Sequence, residues 1–263
     1  MAVIVLASAS GAPGVTTSAL GLALVWPRPV VLVDADPVGG SAILAGYCQG
    51  TVSHNDAMVS LLLAHRDGRL GAMLPKVLMR LPDTEVSLLP GPRSHRQAAS
   101  FAELWPGLAV DLRALQRNGQ DVLIDAGRLG MAFSPAPLIA AADVGLLVLR
   151  SDLVALAAGR QWAAEWAEAA RDGSGAMQVA GLLVGEHRPY SARDVQRTLG
   201  LPGLEQVAWD PDAAAVVSAG KPAGKKLAST RLLKSLSGVA SSVDRRLAEA
   251  RHDSGLRQEA SAR

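Results

Sequence analysis

The 263-residue sequence is poor in cysteine, aromatic residues and long apolar runs. Its single cysteine, Cys48, excludes an internal disulfide and favours a reducing, cytoplasmic location. Aromatic residues make up 3% of the chain, whereas 49% is hydrophobic and 19% is charged. This balance argues against global disorder and allows a sizeable core. No apolar run approaches the roughly 18 residues of a membrane-spanning helix.

Lysine is also rare, and it is unevenly placed. The chain has five lysines, none before Lys76, and the other four lie within residues 213–263. That segment has ten Lys or Arg against four Asp or Glu, a net charge of +6, while residues 1–212 have sixteen against twenty, a net charge of −4. A basic end of this kind is either a solvated face or a contact for nucleic-acid phosphates.

Short apolar runs with β-branched residues alternate with longer segments of helical periodicity. The predicted strands are residues 2–7, 30–34, 85–89, 121–125, 144–149, 179–184 and 205–208. The predicted helices are residues 15–25, 55–65, 97–117, 136–142, 152–171, 191–198, 212–219 and 228–250. Strands that are apolar throughout and separated by helices indicate a mostly parallel sheet with helices on both faces. We therefore expect a doubly wound α/β domain over residues 1–250, with ligands at the carboxyl ends of its strands, and a polar, disordered tail over residues 251–263.

The stretch "ASASGAPGVTT", after the first predicted strand, has the glycines of a phosphate-binding loop without its lysine. The usual pattern is G-x-x-x-x-G-K-[ST]. Gly11 and Gly14 allow a tight turn, Thr16 occupies the position whose hydroxyl reaches Mg²⁺, and Val15 occupies the lysine position. Pro13 also removes one N–H from the cradle. Taken alone, the stretch fits a nucleotide site and a capped tight turn equally well.

Two further predicted strands end in carboxylates. Asp34 and Asp36 follow the apolar run "VVLV", and Asp125 follows "DVLI". A carboxylate after a buried strand is costly to desolvate unless it faces a metal, water or a partner. Asp125 fits a Walker B position, which holds Mg²⁺ directly or through water, although each of these residues also fits a turn or a helix cap.

The glycine loop and the two strands that end in carboxylates follow one another along the chain in the same order as the motifs of the ParA/MinD family of deviant P-loop ATPases, and they resemble those motifs. The family loop K-G-G-V-G-K-T-T aligns with "SGAPGVTT", and the family stretch VLLIDxDPQG aligns with "VLVDADPVG". The strand before Walker B, the strand and helix that follow it, and the late loop near the adenine base also have counterparts. The matching stretches are residues 10–17, 31–39, 121–127, 141–159 and 207–222.

The resemblance implies a P-loop NTPase-type domain that binds ATP or ADP with Mg²⁺ and forms a homodimer. It further implies a protein partner and a role in positioning, partitioning or assembly, for example of a pilus or secretion machine. TadZ/CpaE-like pilus-localisation proteins also have irregular loops, although they usually carry an additional amino-terminal receiver domain.

The resemblance also assigns roles to residues. Asp36 and Asp125 would be catalytic, the same two carboxylates and Thr16 would bind the metal, and Asp34 would support Asp36. The implied cofactor-binding residues are Gly11, Ala12, Gly14, Val15, Thr16, Thr17, Asp210, Pro211 and Asp212.

Both lysines of the family loop are absent from this sequence. Ser10 replaces the signature lysine that reaches across a nucleotide-bound dimer, Val15 replaces the P-loop lysine, and Val38 replaces the usual glutamine. A charge-assisted hydrogen bond contributes about 1.5–3 kcal/mol, and loss of a donor to transition-state charge costs about 10²–10³ in rate. We therefore expect weak or absent hydrolysis, with binding less affected. Arg128, which follows the Walker B stretch, and Arg150, which comes directly after the next predicted strand, are either replacement cations or solvated surface residues.

Three functions remain open from the sequence: a nucleotide-binding positioning protein, a pseudo-ATPase scaffold that binds no nucleotide, and a non-specific DNA-binding partition protein. The candidate DNA contacts are Lys221, Lys225, Lys226, Arg231 and Lys234. An apolar stripe near the carboxyl end is predicted to pack on the sheet rather than to anchor the chain in a membrane. The stripe consists of Leu232, Leu236, Val239, Val243 and Leu247.

Overall fold

The computed structural model describes residues 2–11, 13–171, 177–185, 187–222, 224 and 227–261. Within these ranges the chain forms one eight-stranded sheet in the order β3-β4-β2-β5-β1-β6-β7-β8. The strands are β1 (Val3–Ser8), β2 (Val30–Asp34), β3 (Met79–Arg80), β4 (Ser87–Leu89), β5 (Asp121–Arg128), β6 (Val144–Leu149), β7 (Gln178–Val184) and β8 (Leu204–Val207). All neighbouring pairs are parallel except β3 with β4. The doubly wound, mostly parallel fold predicted from the sequence is confirmed.

Helices cover both faces of the sheet. They are α1 (Val15–Leu24), α2 (Ala57–Arg66), α3 (Leu70–Val77), α4 (His95–Ser100), α5 (Trp105–Ala114), α6 (Ala136–Ala140), α7 (Leu153–Arg171), α8 (Ala192–Leu199), α9 (Pro211–Ser218) and α10 (Arg231–Ser261). A π-helical turn spans Ile43–Tyr47, and 3₁₀ turns span Leu115–Asn118 and Leu227–Ser229. No helix in the described part of the chain is both long and apolar enough to cross a membrane.

Alternation along the central strand explains why the strands are apolar throughout. Val3 and Val5 of β1 belong to the core on one face, whereas Ile4 and Leu6 belong to the core on the other. Successive side chains of a strand point to opposite faces, so a strand covered on both sides needs apolar residues at every position.

The carboxyl-terminal stripe packs on the sheet as predicted. All five stripe residues are buried in the same core as α1. At Gly21 of α1, an added Cβ would lie 2.6 Å from Leu236 Cδ1, so the absence of a side chain there permits close packing of α1 and α10. Because α10 continues to Ser261, it includes most of residues 251–263; the disorder of that segment stays a prediction.

Three local elements differ from the sequence predictions. The helix predicted over residues 97–117 is divided into α4 and α5, because Pro106 lacks an N–H donor and is tolerated only in the first turn of a helix. Helix α3 was not predicted, since its sequence contains Gly71 and Pro75. The edge strand β3 has only two residues and therefore gives no periodic signal.

The amino edge of the sheet is fixed by a buried carboxylate. Asp121 is fully buried and accepts hydrogen bonds from the Ala2 N–H at 2.6 Å, from Trp26 Nε1 at 2.9 Å and from Arg28 Nε at 2.7 Å. The Arg28 guanidinium also pairs with Asp244 at 2.8 Å. This network joins the residue before β1, the loop between α1 and β2, strand β5 and helix α10. It lies at the edge of the sheet opposite the strand ends described next.

Candidate functional site

A cleft opens at the carboxyl edge of the sheet, where β1 lies between β5 and β6. The chain leaves β1 at Ser8 and enters α1 at Val15. This strand–loop–helix unit borders a cavity of about 660 Å³, at the strand ends where doubly wound folds bind ligands. The residues singled out from the sequence that line it are Gly11, Gly14, Val15, Thr16, Thr17, Asp36, Val38, Arg128, Arg150, Asp210 and Pro211.

Two of the remaining predicted site residues, Asp125 and Asp212, do not line the cleft. Ala12 falls outside the described residues. Asp125 is completely buried within β5, three residues before the end of the strand. Asp212 is exposed in the first turn of α9 and accepts a hydrogen bond from Lys221 Nζ at 3.1 Å. Asp210 lines the cleft and also caps α9, because its Oδ1 accepts from the Ala213 N–H at 3.2 Å.

The loop has open space at both of its singled-out glycines. A Cβ added to Gly11 or Gly14 would meet no atom within 4 Å. Gly14 has φ +100, a left-handed conformation that favours glycine, and it provides no side-chain cap to α1. The first N–H groups of a helix lack intrahelical partners and favour anions. The loop and first turn of α1 therefore form a cradle suited to a phosphate group.

Val15 does not replace the chemistry of a lysine. Its side chain is only 7% exposed and belongs to the core between α1, α10 and the sheet. The first turn of α1 thus offers N–H groups and the Thr16 and Thr17 hydroxyls, with no cationic side chain.

Two buried carboxylates lie side by side beneath the cleft. Asp34 and Asp125 are partners in the parallel register of β2 and β5. The pKa of Asp125 is raised to about 7, chiefly by burial and then by the neighbouring Asp34 carboxylate, while the Thr16 hydroxyl and the Gly127 N–H act in the opposite direction. Burial likewise raises the pKa of Asp34 to about 6, opposed by hydrogen bonds from Ser41 and from the Asp36 N–H. Asp34 thus contacts the backbone of Asp36, and its supporting role stays a prediction.

One oxygen of Asp125 has no hydrogen-bond partner. The Gly127 N–H donates to Asp125 Oδ1 at 3.0 Å, whereas Oδ2 is buried and, although the Thr16 hydroxyl lies near this carboxylate, makes no hydrogen bond of ordinary geometry with a described residue. Such a group costs free energy unless a ligand, ion or water satisfies it.

Asp36 is held against β5 by a glycine contact. Its Oδ1 accepts from the Val38 N–H at 2.9 Å. A Cβ added to Gly127 would lie 2.4 Å from Asp36 Cγ, and Gly127 has φ +63. Glycine is therefore required at position 127 both by the backbone conformation and by the close approach of Asp36.

The oxygen ligands around the cleft suit Mg²⁺ that is shared with a phosphate group and water, rather than a metal held wholly by protein side chains. In the described part of the chain, no three His, Cys, Asp or Glu side chains are arranged to bind a metal. Mg²⁺ usually keeps several waters and takes one or two carboxylates together with substrate phosphates. Thr16, Asp36 and the unpartnered Asp125 oxygen, beside a phosphate cradle, match that requirement.

The far wall of the cleft contains an aromatic residue that the sequence analysis missed. Trp209 lines the cleft directly before Asp210. The guanidinium carbon of Arg150 lies 5.4 Å from the centroid of the Trp209 ring, and that of Arg188 lies 4.4 Å from it. Trp209 is one of five tryptophans in the chain. Its position within the late loop was the one sequence signal that could have marked it as a site residue.

The basic residues near the carboxyl end are on the surface where they are described. Arg231 and Lys234 are exposed in the first turn of α10, and Lys221 is paired with Asp212. Lys225 and Lys226 lie outside the described residues.

Solved structures with the same architecture were found by comparison. The MinD septum site-determining protein from Pyrococcus horikoshii, complexed with Mg-ADP, superposes with a TM-score of 0.72 at 19% identity, covering 92% of this chain and 96% of that one. A ParA family ATPase from Chlorobium tepidum gives a TM-score of 0.68 at 16% identity, covering 91% and 97%. The fold is that of the ParA and MinD ATPases.

MinD of Aquifex aeolicus, solved in a MinC:MinD cell division complex, has the same ParA/MinD fold, with a TM-score of 0.64 at 17% identity and coverage of 92% and 95%. No protein-family model and no curated protein matches the chain. The TM-scores of these three superpositions establish the ParA/MinD fold. Because the identities are below 20%, the activity has to be argued from the site.

Proposed function

We propose that this chain is a member of the ParA/MinD family that binds ATP or ADP with Mg²⁺ and hydrolyses ATP slowly or not at all. The observation that carries the proposal is the unpartnered, fully buried oxygen of Asp125 next to a glycine cradle. The cavity of about 660 Å³ is also within the usual range of about 300–1,000 Å³ for small-molecule sites. The Mg-ADP complex of P. horikoshii MinD supports this choice of ligand.

Each predicted residue has a role in this proposal. The backbone of Gly11, Gly14, Val15 and Thr17 surrounds the phosphates, so that N–H groups point to negative charge. Ala12, which lies outside the described residues, stays a predicted cofactor-binding residue. Asp210, Pro211 and Asp212 belong to the loop and helix at the base end of the nucleotide.

The metal-binding residues lie between the loop and β5. Thr16, Asp36 and Asp125 hold Mg²⁺ directly or through water, and Asp36 and Asp125 orient the attacking water. Mg²⁺ supplies charge neutralisation of the phosphate oxygens. Transition-state charge is poorly stabilised, because Ser10 and Val15 replace the two lysines, and hydrolysis is accordingly weak.

The proposal includes a homodimer with a protein partner, acting in the cytoplasm to position or assemble other components, such as a pilus or secretion machine. Apolar side chains follow the two strands that flank β1: Phe133 is 49% exposed, Leu153 is 67% exposed and Val154 is 75% exposed. Apolar residues exposed together at one edge favour protein contacts. The MinC:MinD complex supports a protein partner of this kind.

Pseudo-ATPase scaffolding is the second candidate function. The observation that favours it is the burial of Val15 in the core, which leaves the first turn of α1 without a cation. A third candidate, non-specific DNA binding, is favoured by the exposure of Arg231 and Lys234. It predicts a mobility shift that weakens steeply with salt.

Isothermal titration with ATP, with and without Mg²⁺, separates the first two functions. Asp125→Asn keeps the shape of the buried side chain and removes its charge, while Asp67→Asn changes an exposed aspartate that does not line the cleft. We expect Asp125→Asn to abolish the benefit of Mg²⁺ and Asp67→Asn to behave as the natural protein. Binding that is unaffected by Mg²⁺ or by Asp125→Asn would contradict the proposed site.

A further inference from the structure

The cleft needs positive charge that its loop does not provide. A nucleoside triphosphate is a polyanion, and the carboxyl groups of Asp34, Asp36 and Asp125 at the same edge of the sheet provide no positive charge to balance it. A helix N-terminus contributes only about half an elementary charge. In the described part of the chain, the cationic side chains that line the cleft are Arg128 and Arg150.

Strand register places these two arginines on opposite sides of the loop. Ser8, where the chain leaves β1, is paired with Arg128 of β5 and with Val148 of β6. Arg150 follows β6 two residues after Val148. The backbone reinforces the first pairing, since the Leu129 N–H donates to the Ser8 carbonyl at 2.8 Å.

A bulge in β5 brings Arg128 into this position. Between Leu6 paired with Asp125 and Ser8 paired with Arg128, β5 has one residue more than β1. Gly127, with φ +63, lies in this bulge. Bulges re-aim side chains and recur next to functional sites. Without the extra residue, Gly127 rather than Arg128 would be opposite Ser8.

Arg150 is oriented from the other side by an aromatic ring. Its guanidinium carbon lies 5.4 Å from the centroid of Trp209, which itself lines the cleft. A guanidinium stacked on a ring keeps its N–H donors in the plane of the group, where they can bind phosphate oxygens in pairs. Trp209 is therefore a positioning residue for Arg150.

We propose that Arg128 and Arg150 together bind the terminal phosphates of a nucleoside di- or triphosphate, in place of the two absent loop lysines. This inference rests on the proposed nucleotide binding. It assigns the charge to the strands that flank the loop instead of to the loop itself. Guanidinium groups are suited to this task because they bind phosphate in a bidentate fashion.

The test is a titration of Mg-ATP into Arg128→Gln, Arg150→Gln and the double variant. Arg117→Gln is the matched control, since Arg117 is exposed just before the amino end of β5, at the opposite edge of the sheet. Arg128 and Arg150 are also exposed, and a thermal melt of each ligand-free variant checks that its fold is retained before its Kd is compared. We expect each single substitution in the cleft to weaken Kd about 10-fold to 100-fold, and Arg117→Gln to leave it unchanged.

Rescue gives a second readout. If positive charge at these two exposed positions binds the phosphates, then Arg128→Lys/Arg150→Lys should bind Mg-ATP at least about tenfold more tightly than Arg128→Gln/Arg150→Gln. Trp209→Leu should weaken Kd in the natural protein but have little effect in the Arg150→Gln variant, because Trp209 and Arg150 act through one contact.

The outcomes separate the two claims. Absence of Mg-ATP binding by the natural protein would overturn the proposed nucleotide binding and this inference with it. Normal binding that persists in Arg128→Gln and Arg150→Gln would overturn the inference alone. A loss confined to one of the two variants would overturn the paired arrangement.

Discussion

Replacing Gly127 with alanine perturbs the site at a position where two constraints coincide. The backbone of Gly127 has φ +63, and an added Cβ would lie 2.4 Å from Asp36 Cγ and 2.6 Å from Asp36 Oδ1. A left-handed conformation costs a residue with a Cβ about 1–2 kcal/mol. An overpacked contact adds about 1–3 kcal/mol. Together these give a loss of about 2–5 kcal/mol in the free energy of unfolding.

Gly68→Ala separates these two contributions. Gly68 has φ +67, but a Cβ there would meet nothing within 4 Å, so this control carries only the backbone cost. Urea unfolding of both variants gives the contact energy as their difference, which we expect to be about 1–3 kcal/mol. Since Asp36 must move, Gly127→Ala should also weaken Mg-ATP binding, and Gly68→Ala should not.

A second substitution checks that Asp36 causes the difference. In the double variant Gly127→Ala/Asp36→Ala, truncation of Asp36 removes the atoms that the new Cβ would meet. The free energy of unfolding of the double variant should therefore return towards that of Gly68→Ala. Equal destabilisation by Gly127→Ala and Gly68→Ala would refute the reasoning, because the close approach of Asp36 would then cost nothing.

Two further predictions concern buried carboxylates. Asp121→Ala leaves Arg28 and the Trp26 N–H without their buried partner, and chemical denaturation should show a loss of about 3–5 kcal/mol; a loss below about 1 kcal/mol would mean that the network contributes little. Burial raises the pKa of Asp125 from 3.8 to about 7, so the ligand-free protein should lose stability as pH rises from about 4 towards 8. Asp125→Asn should flatten this part of the stability profile in thermal melts at several pH values. A natural profile as flat as that of Asp125→Asn would contradict the raised pKa.

The strands near the cleft were predictable because burial on both faces requires unbroken apolar runs. "VVLVD" and "DVLID" are such runs, and β2 and β5 begin where they were predicted to begin. Their closing aspartates were recognisable because charge is rarely placed at the end of a buried strand without a partner. Parallel register then brings Asp34 beside Asp125, as expected for residues at the same edge of a sheet.

What the sequence could not show depends on contacts between distant segments. The bulge at Gly127 is defined by pairing with β1, and nothing in "DAGRLG" distinguishes a bulge from a strand end. The stacking of Arg150 and Arg188 on Trp209 joins three separate loops. For this reason the arginines could be named as candidate cations from the sequence, but their placement on either side of the loop could not.

The central claim is that this cleft binds nucleotide without a loop lysine, and titration calorimetry of the natural protein with Mg-ATP tests it most directly. The account predicts saturable binding at micromolar nucleotide and a melting temperature that rises with nucleotide concentration. Absence of heat up to millimolar Mg-ATP, together with an unchanged melting temperature, would contradict it and favour a scaffold that binds no nucleotide.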